Sequence, residues 1–239
     1  MKKELLKKGI WLFVFSVAMG FLESSVVVYL REIYYPEGFS LPIKPMATHL
    51  ALTELLREAA TVIMLISLGA IIGKTFAERF SAFLFSFAVW DIFYYVFLKL
   101  ILNWPESFFT WDILFLIPML WVSPVLAPLI ISFLMISFAV VIMYFRFQGK
   151  EIIIQWYEWV LLITGSVIVI FSFTRDSWIF FWCDALNLKN SPNYFEFISF
   201  YRPSDFSWLI FGFGAMIIIS AIVVFFFRNK YQKIVLTKF

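Results

Sequence analysis

The sequence predicts an all-α polytopic integral membrane protein with six transmembrane helices. Hydrophobic residues make up 63% of the chain and charged residues only 15%, whereas a soluble domain is about one quarter charged. Mean hydropathy is +0.92. Apolar runs long enough to cross a bilayer recur about every 30–40 residues. Together these observations exclude an ordinary soluble domain.

The six apolar runs form one membrane domain, residues 1–239, with no linker long enough to separate two domains. Each run has about 22–26 residues, or about 33–39 Å, which crosses a hydrocarbon core of about 30 Å with some tilt. The first run resembles a signal peptide, and we expect it to be retained as a span. The runs lie at about 9–31, 48–73, 80–102, 120–145, 152–174 and 207–227.

Lysine and arginine predict the orientation of these spans. Because cytoplasmic loops carry an excess of Lys and Arg, we expect both termini in the cytoplasm (N-in, C-in) and the long loops 32–47 and 175–206 outside. We expect the membrane to be a prokaryotic inner membrane. Twelve of the nineteen basic residues lie on the side of the termini: Lys2, Lys3, Lys7, Lys8, Lys74, Arg79, Arg146, Lys150, Arg228, Lys230, Lys233 and Lys238.

Cysteine and histidine counts limit the chemistry. The chain has one cysteine, Cys183, and one histidine, His49. These counts exclude an intrachain disulfide, a bis-His haem and any Cys or multi-His metal site. A hard divalent cation held by carboxylates stays open. The net charge of +3 is explained by lysines at helix ends and does not indicate nucleic-acid binding.

Two acids lie too deep to reach the interface. Asp91 lies eleven residues from each end of the third span, or about 16 Å. Glu23 lies eight residues before Arg31, or about 12 Å. An ionised acid at the centre of a helix costs about 2.5–3.5 kcal/mol, so both acids must be protonated, paired or metal-bound, facing the bundle interior. The alternative for Asp91 is a hydrogen bond between helices that only fixes packing.

A second charged cluster lies at the start of the second span, in HLALTELLREAAT. Glu54 and Glu58 share a helical face, and Arg57 is three residues from Glu54 and can pair with it. If the span begins at Ala59, the three charges lie in the membrane core; if Lys74 snorkels, they lie at the interface. A self-neutralised triad at a helix end and a ligand-binding role both remain open.

The near-membrane charges lie in the outer half of the predicted bundle, and we find no comparable inner cluster. Asp91, Tyr94, Tyr95 and Lys99 share one side of the third span. We therefore predict a polar pocket open to the outside, with Asp91 as its floor and candidate metal ligands Asp91, Glu54, Glu58 and Glu23. The predicted pocket residues are Glu23, Glu54, Arg57, Glu58, Asp91, Tyr94, Tyr95 and Asp112.

The segment WDILFLIPMLWVSPVLAP before the fourth span contains Pro118, Pro124 and Pro128. Proline breaks or kinks a helix, so we predict a Pro-broken outer half-helix, either interfacial or re-entrant. Asp112 then has a competing interpretation as an acid in a first helical turn, with Thr110 as the N-cap.

Three further charged or aromatic features favour interfacial roles. We expect Lys99 to snorkel or to pair with an acid, and Glu158 to lie in an aromatic belt. The stretch DSWIFFWCDAL predicts a short helix in the headgroup plane. Its aromatic residues are Trp178, Phe181 and Trp182, and its acids are Asp176 and Asp184.

Three functions fit these features. The first is binding or transport of a small ligand or cation in the pocket. The second is a membrane-embedded enzyme that acts on a lipid, isoprenoid or envelope precursor, with Arg57 holding a phosphate or carboxylate. The third is an accessory subunit of a larger membrane complex, with a membrane-protein partner or a second copy of the chain. Polarity of the pocket favours the first.

Overall fold

Six long helices and one short antiparallel hairpin make up the part of the chain that the computed structural model describes, which is residues 2–116, 119–184 and 200–231. Each helix is long and apolar enough to cross a membrane, which confirms the polytopic all-α class. The helices are α1 (Lys2–Tyr34), α2 (Thr48–Ile72), α3 (Phe76–Leu102), α4 (Leu126–Phe147), α5 (Trp156–Asp184) and α6 (Trp208–Tyr231), and the strands are β1 (Trp111–Phe115) and β2 (Trp121–Pro124).

Helix α3 is the centre of the fold. It packs against α1, α2 and α4, whereas α5 packs against α6, and α4 joins the two groups by its contact with α6. Close backbone approach joins α2 to α3 at the turn between them. A Cβ atom on Gly69 would lie 2.7 Å from the Arg79 carbonyl oxygen, and one on Gly73 would lie 2.4 Å from the Arg79 nitrogen. Glycine at these two positions therefore brings the helices together.

The predicted half-helix before the fourth span is wrong, because Trp111–Phe115 and Trp121–Pro124 form the two antiparallel strands of a hairpin. Trp111 pairs with Pro124 and Asp112 with Ser123 in antiparallel register. Aromatic and β-branched residues dominate both strands, and these favour extended backbone. Helix α4 consequently begins at Leu126 and not near residue 120. Pro118, one of the three prolines behind the prediction, lies outside the described residues.

The fifth helix is longer than predicted. It continues past residue 174 to Asp184, so Asp176, Trp178, Phe181 and Trp182 belong to the same helix and do not form a separate one. The side chain of Asp184 lies outside the described part of the chain. Asp176 accepts hydrogen bonds from the Tyr201 hydroxyl at 2.7 Å and the Ser204 hydroxyl at 2.8 Å, and burial raises the pKa of Tyr201 above its usual range.

The end of the bundle away from the hairpin, which we call the opposite end, is filled by an apolar core. Phe138, Ile142, Phe145 and Phe225 are almost completely buried there. Two acids at this end each cap a helix and bind an arginine. Glu78 accepts from the Lys74 backbone nitrogen at 2.7 Å and pairs with Arg146 at 2.6 Å.

The second acid of the opposite end corrects the prediction for Glu158. This side chain has no exposed surface, so it does not belong to an interfacial aromatic belt. Its carboxylate accepts from the Gln155 backbone nitrogen at 2.8 Å and from two Arg228 nitrogens at 2.7 and 2.9 Å. A bidentate arginine and a helix cap explain why an acid is tolerated in this position. Charge clusters therefore occupy both ends.

Candidate functional site

A cavity of about 380 Å³ lies in the half of the bundle that carries the hairpin, which we call the hairpin end. Its walls come from all six helices, the loop between α1 and α2, and the hairpin, and most of its lining side chains are apolar or aromatic. The structure brings all eight predicted pocket residues to its surface: Glu23, Glu54, Arg57, Glu58, Asp91, Tyr94, Tyr95 and Asp112.

Arg57 of α2 is the centre of a carboxylate–guanidinium triad. It donates to both oxygens of Glu54, at 2.9 Å from Nε and 2.6 Å from Nη2, and it donates through Nη1 to Glu23 of α1. The pair with Glu54 is local, three residues apart on one helix, whereas the pair with Glu23 joins two helices. The positive charge of Arg57 is therefore shared between two acids.

Glu58 fastens the hairpin to α2. Its oxygens accept from the backbone nitrogen of Leu116 at 3.0 and 3.3 Å, and only 7% of the residue is exposed. Glu58 lies ten residues from the start of α2, or about 15 Å along its axis. The hairpin thus reaches well into the bundle, where backbone outside a helix is tolerated because protein surrounds it.

Asp112 is buried in β1 and contacts two helices. Its carboxylate accepts from the Tyr95 hydroxyl at 3.0 Å and lies 3.5 Å from Nη2 of Arg31. The predicted helical first turn with a Thr110 cap is therefore wrong. Burial raises the pKa of Asp112, while Arg31, the Tyr95 hydroxyl and the Ile113 backbone oppose that rise. The Arg31 guanidinium lies between two aromatic rings, 4.2 Å from the Phe39 centroid and 3.7 Å from the Trp104 centroid.

Asp91 differs from the other acids of the cavity. Its Oδ2 accepts from the Ser132 hydroxyl of α4 at 2.8 Å, a bond between helices that agrees with the packing interpretation. In the described residues, however, Asp91 forms no ion pair, since the five salt bridges involve other acids. A carboxyl group deep in the bundle therefore lines a cavity without a cation beside it.

The charges of the candidate site do not assemble a metal centre. Where the chain is described, no group of three His, Cys, Asp or Glu side chains could hold a metal ion. Glu23 and Glu54 are bound to Arg57, and Glu58 is bound to the hairpin backbone. Of the four candidate metal ligands, only Asp91 lacks a charged or backbone partner.

Several residues of the cavity escaped the sequence analysis. Arg31 was counted as a topological charge at a helix end, and Ser132 is a small polar residue in an apolar run. Trp90 and Trp121 also line the cavity. Within the described ranges, Nη1 of Arg31 and the indole nitrogens of both tryptophans are buried without a hydrogen-bond partner. Because Arg31 was placed at the outer end of the first span, its position in the sequence gave no signal of burial.

Lys99 was expected to snorkel or to pair with an acid, and its side chain is exposed at the end of α3. It does not pair with an acid; its Nζ donates to the carbonyl oxygens of Asn103 at 3.2 Å and Pro105 at 2.9 Å. Lys99 therefore satisfies carbonyl groups at the end of α3, next to Asn103 in a left-handed conformation with φ 53°, and takes no part in the cavity.

Comparison with known proteins assigns the chain to no family. No family model matches the sequence, and neither a curated protein nor a solved structure is similar to it. Its six apolar helices indicate that the chain is an integral membrane protein.

Proposed function

We propose that the protein binds a small organic amine in the cavity at the hairpin end, with Asp91 as its counter-ion. The observation that carries this proposal is the unpaired carboxyl group of Asp91 in a cavity wall. A charge at this depth costs about 2.5–3.5 kcal/mol when it has no partner. A protonated amine would bring the missing positive charge.

Every other acid of the cavity already has a charged or backbone partner. Arg57 is bound to Glu23 and Glu54, Arg31 lies beside Asp112, and Glu58 accepts from the Leu116 backbone. Asp91, whose partner is the Ser132 hydroxyl, is therefore the acid at which we expect a further cation to be held. An organic cation fits better than a metal, because no cluster of acids is available in the described residues to replace the hydration shell of a metal ion.

The aromatic lining supports the same class of ligand. Phe87, Trp90, Tyr94 and Tyr95 of α3 line the cavity on both sides of Asp91 in sequence. Aromatic faces attract ammonium groups by about 0.5–2 kcal/mol, most strongly when water is excluded. The apolar side chains around them would bury the hydrocarbon part of the ligand, as in most small-molecule sites.

The packing supports binding more than transport. The opposite end is filled by the core around Phe138 and Phe225 and crossed by the Glu78–Arg146 and Glu158–Arg228 pairs. No polar lining continues from Asp91 through that core in the described structure. With the termini in the cytoplasm, as the positive charges predict, the cavity would lie in the outer half of the membrane.

The test uses three probes of one shape and different charge: benzylamine, benzyl alcohol and benzoate. Thermal unfolding of the protein in nanodiscs is followed by intrinsic fluorescence, with and without each probe. A ligand at 100 times its Kd stabilises a protein by about 2.7 kcal/mol. We expect benzylamine to raise the Tm by several degrees and the neutral and anionic probes to have little effect.

Asp91→Asn separates binding from packing, because the amide can still bond to Ser132 but carries no charge. We expect it to unfold near the wild-type Tm and to lose the benzylamine shift. Glu106→Gln is the matched control, since Glu106 is an exposed acid outside the cavity. A lowered Tm with an intact benzylamine shift in Asp91→Asn would contradict the proposal and support a packing role.

A further inference from the structure

Two walls of the cavity, α2 and α5, do not pack extensively on each other, and the gap between them bears on the rest of the ligand. Resting on the proposed function, we infer that the ligand is a single-chain amphiphile. Its amine lies beside Asp91, and its alkyl tail leaves the cavity between α2 and α5 into the bilayer. The inference depends on how α2 is held, on what covers the cavity, and on which residues border the opening.

Helices α2 and α5 line the cavity from different sides but do not form an extensive interface. Arg57 and Thr61 of α2 and Ser166 and Val169 of α5 all face it. Among the described helices, α2 packs extensively only on α3, and α5 packs on α6. The cavity therefore lies between two helices that do not pack extensively on each other.

The hairpin-end half of α2 is attached by polar contacts. At the opposite end, Gly69 and Gly73 bring α2 directly against α3. Within the described apolar clusters, Leu65 is the only member from α2. Nearer the hairpin, the links to neighbouring elements are Arg57 to Glu23 and Glu58 to the Leu116 backbone. Within the described part of the chain, no apolar cluster joins α2 to α5.

The hairpin covers the cavity from above and directs the opening sideways. Its turn is fastened to α2 through Leu116 and Glu58 at 3.0 Å, and to α5 through the Leu120 carbonyl, which accepts from the Ser177 hydroxyl at 2.7 Å. Its outward side packs against Leu41, Ile43 and Tyr201. A chain that extends from Asp91 between α2 and α5 would pass below this turn.

An apolar stripe on α5 continues the cavity wall to the lipid-facing surface. Ile170 lines the cavity and is 39% exposed. Ile163, seven residues earlier on the same helical face, is 57% exposed. An alkyl chain that follows this stripe meets mainly apolar side chains and lipid, so each methylene group removed from water favours the bound state. A ligand with a polar tail would lose that contribution.

The experiment uses dodecylamine that carries a photoreactive diazirine at the end of its tail, with wild-type protein in nanodiscs. Adducts are mapped by mass spectrometry, and specific adducts are those that excess dodecylamine removes. We expect specific adducts on the lipid-facing residues of α2 and α5, including the Ile163–Ile170 stripe. The same diazirine on dodecanol is the matched control and should give none, because it lacks the charge that Asp91 requires.

Two outcomes would overturn the inference. Specific adducts confined to the loop around Lys44 and Met46 would place the tail on the aqueous side, and adducts confined to the cavity interior would show an enclosed ligand. In both cases a preserved benzylamine shift would leave the proposed amine site standing. If neither benzylamine nor dodecylamine binds in an Asp91-dependent way, the proposed function fails as well.

Discussion

The two ends of the bundle use the same residue types in different ways. At the opposite end, Glu78 and Glu158 each cap a helix and bind an arginine, and an aromatic core surrounds them. At the hairpin end, the acids surround a cavity, and Asp91 has neither an arginine nor a backbone donor. A buried acid is thus a candidate for ligand binding where the structure leaves its charge without a cation or a backbone donor.

The largest expected effect on stability is at the opposite end. Glu158→Ala should lower the free energy of unfolding by about 3–4 kcal/mol, because it leaves the part-buried Arg228 without its carboxylate partner and uncaps α5. Thermal unfolding in nanodiscs measures this loss. The exposed Glu151 provides the control Glu151→Ala. If folded Glu158→Ala protein also lost the benzylamine shift, the claim that only the hairpin end binds the amine would be contradicted.

A smaller loss of stability is expected for Arg57→Gln at the hairpin end. The change leaves the part-buried Glu23 and Glu54 without their cation. We expect this to lower the free energy of unfolding by about 2–3 kcal/mol. The same change leaves the cavity more negative, so benzylamine should bind more tightly than to wild type. Isothermal titration with benzylamine measures the affinity, and Lys99→Gln serves as a cation-removing control outside the cavity. Unchanged or weaker affinity in Arg57→Gln would argue against charge complementarity as the basis of binding.

Tyr95→Phe separates the support of the hairpin from amine binding at the hairpin end. The change removes the hydroxyl that donates to Asp112 and should cost about 1–2 kcal/mol. The benzylamine shift should persist, because Tyr95 supports the hairpin and Asp91 remains in place. Tyr29→Phe, on a residue that is 67% exposed, is the matched control. Equal Tm values for the two variants would show that the hydroxyl contributes nothing.

The smallest effect concerns the cap of α3. The Thr75 hydroxyl and Glu78 form a capping box, so Thr75→Ala should cost about 1 kcal/mol without changing benzylamine binding. Thr75→Ser keeps the hydroxyl and should recover most of the stability. If chemical unfolding gives the alanine and serine variants the same free energy of unfolding, the Thr75 hydroxyl does not stabilise this end.

Helix periodicity and depth were sufficient to predict the bundle and to place the charged residues together. Glu54 and Glu58 share a face, and Asp91 lies midway along its helix, so spacing gives the face and the depth of each residue. That the cavity binds a ligand stays a proposal. The hairpin was not predictable in the same way, because strands of five and four residues with several prolines give no clear periodicity.

The partners of individual charges were also beyond the sequence. Glu158 lies beside aromatic residues in the chain, which indicated an interface, but its partner Arg228 is 70 residues away. Asp112 likewise depends on Arg31, 81 residues earlier. Such pairings are set by which helices become neighbours, and local pattern does not contain that information.

The attachment of the hairpin turn has a consequence for biosynthesis. One bond of the turn goes to Glu58 on a helix that is synthesised earlier, and the other goes to Ser177 on a helix that is synthesised later. We therefore expect the turn to reach its final position only after α5 has entered the membrane. Because backbone groups without partners are excluded from hydrocarbon, we expect the hairpin strands to stay at the membrane surface or in the insertion machinery until then. Closure of the cavity is therefore among the last steps of assembly.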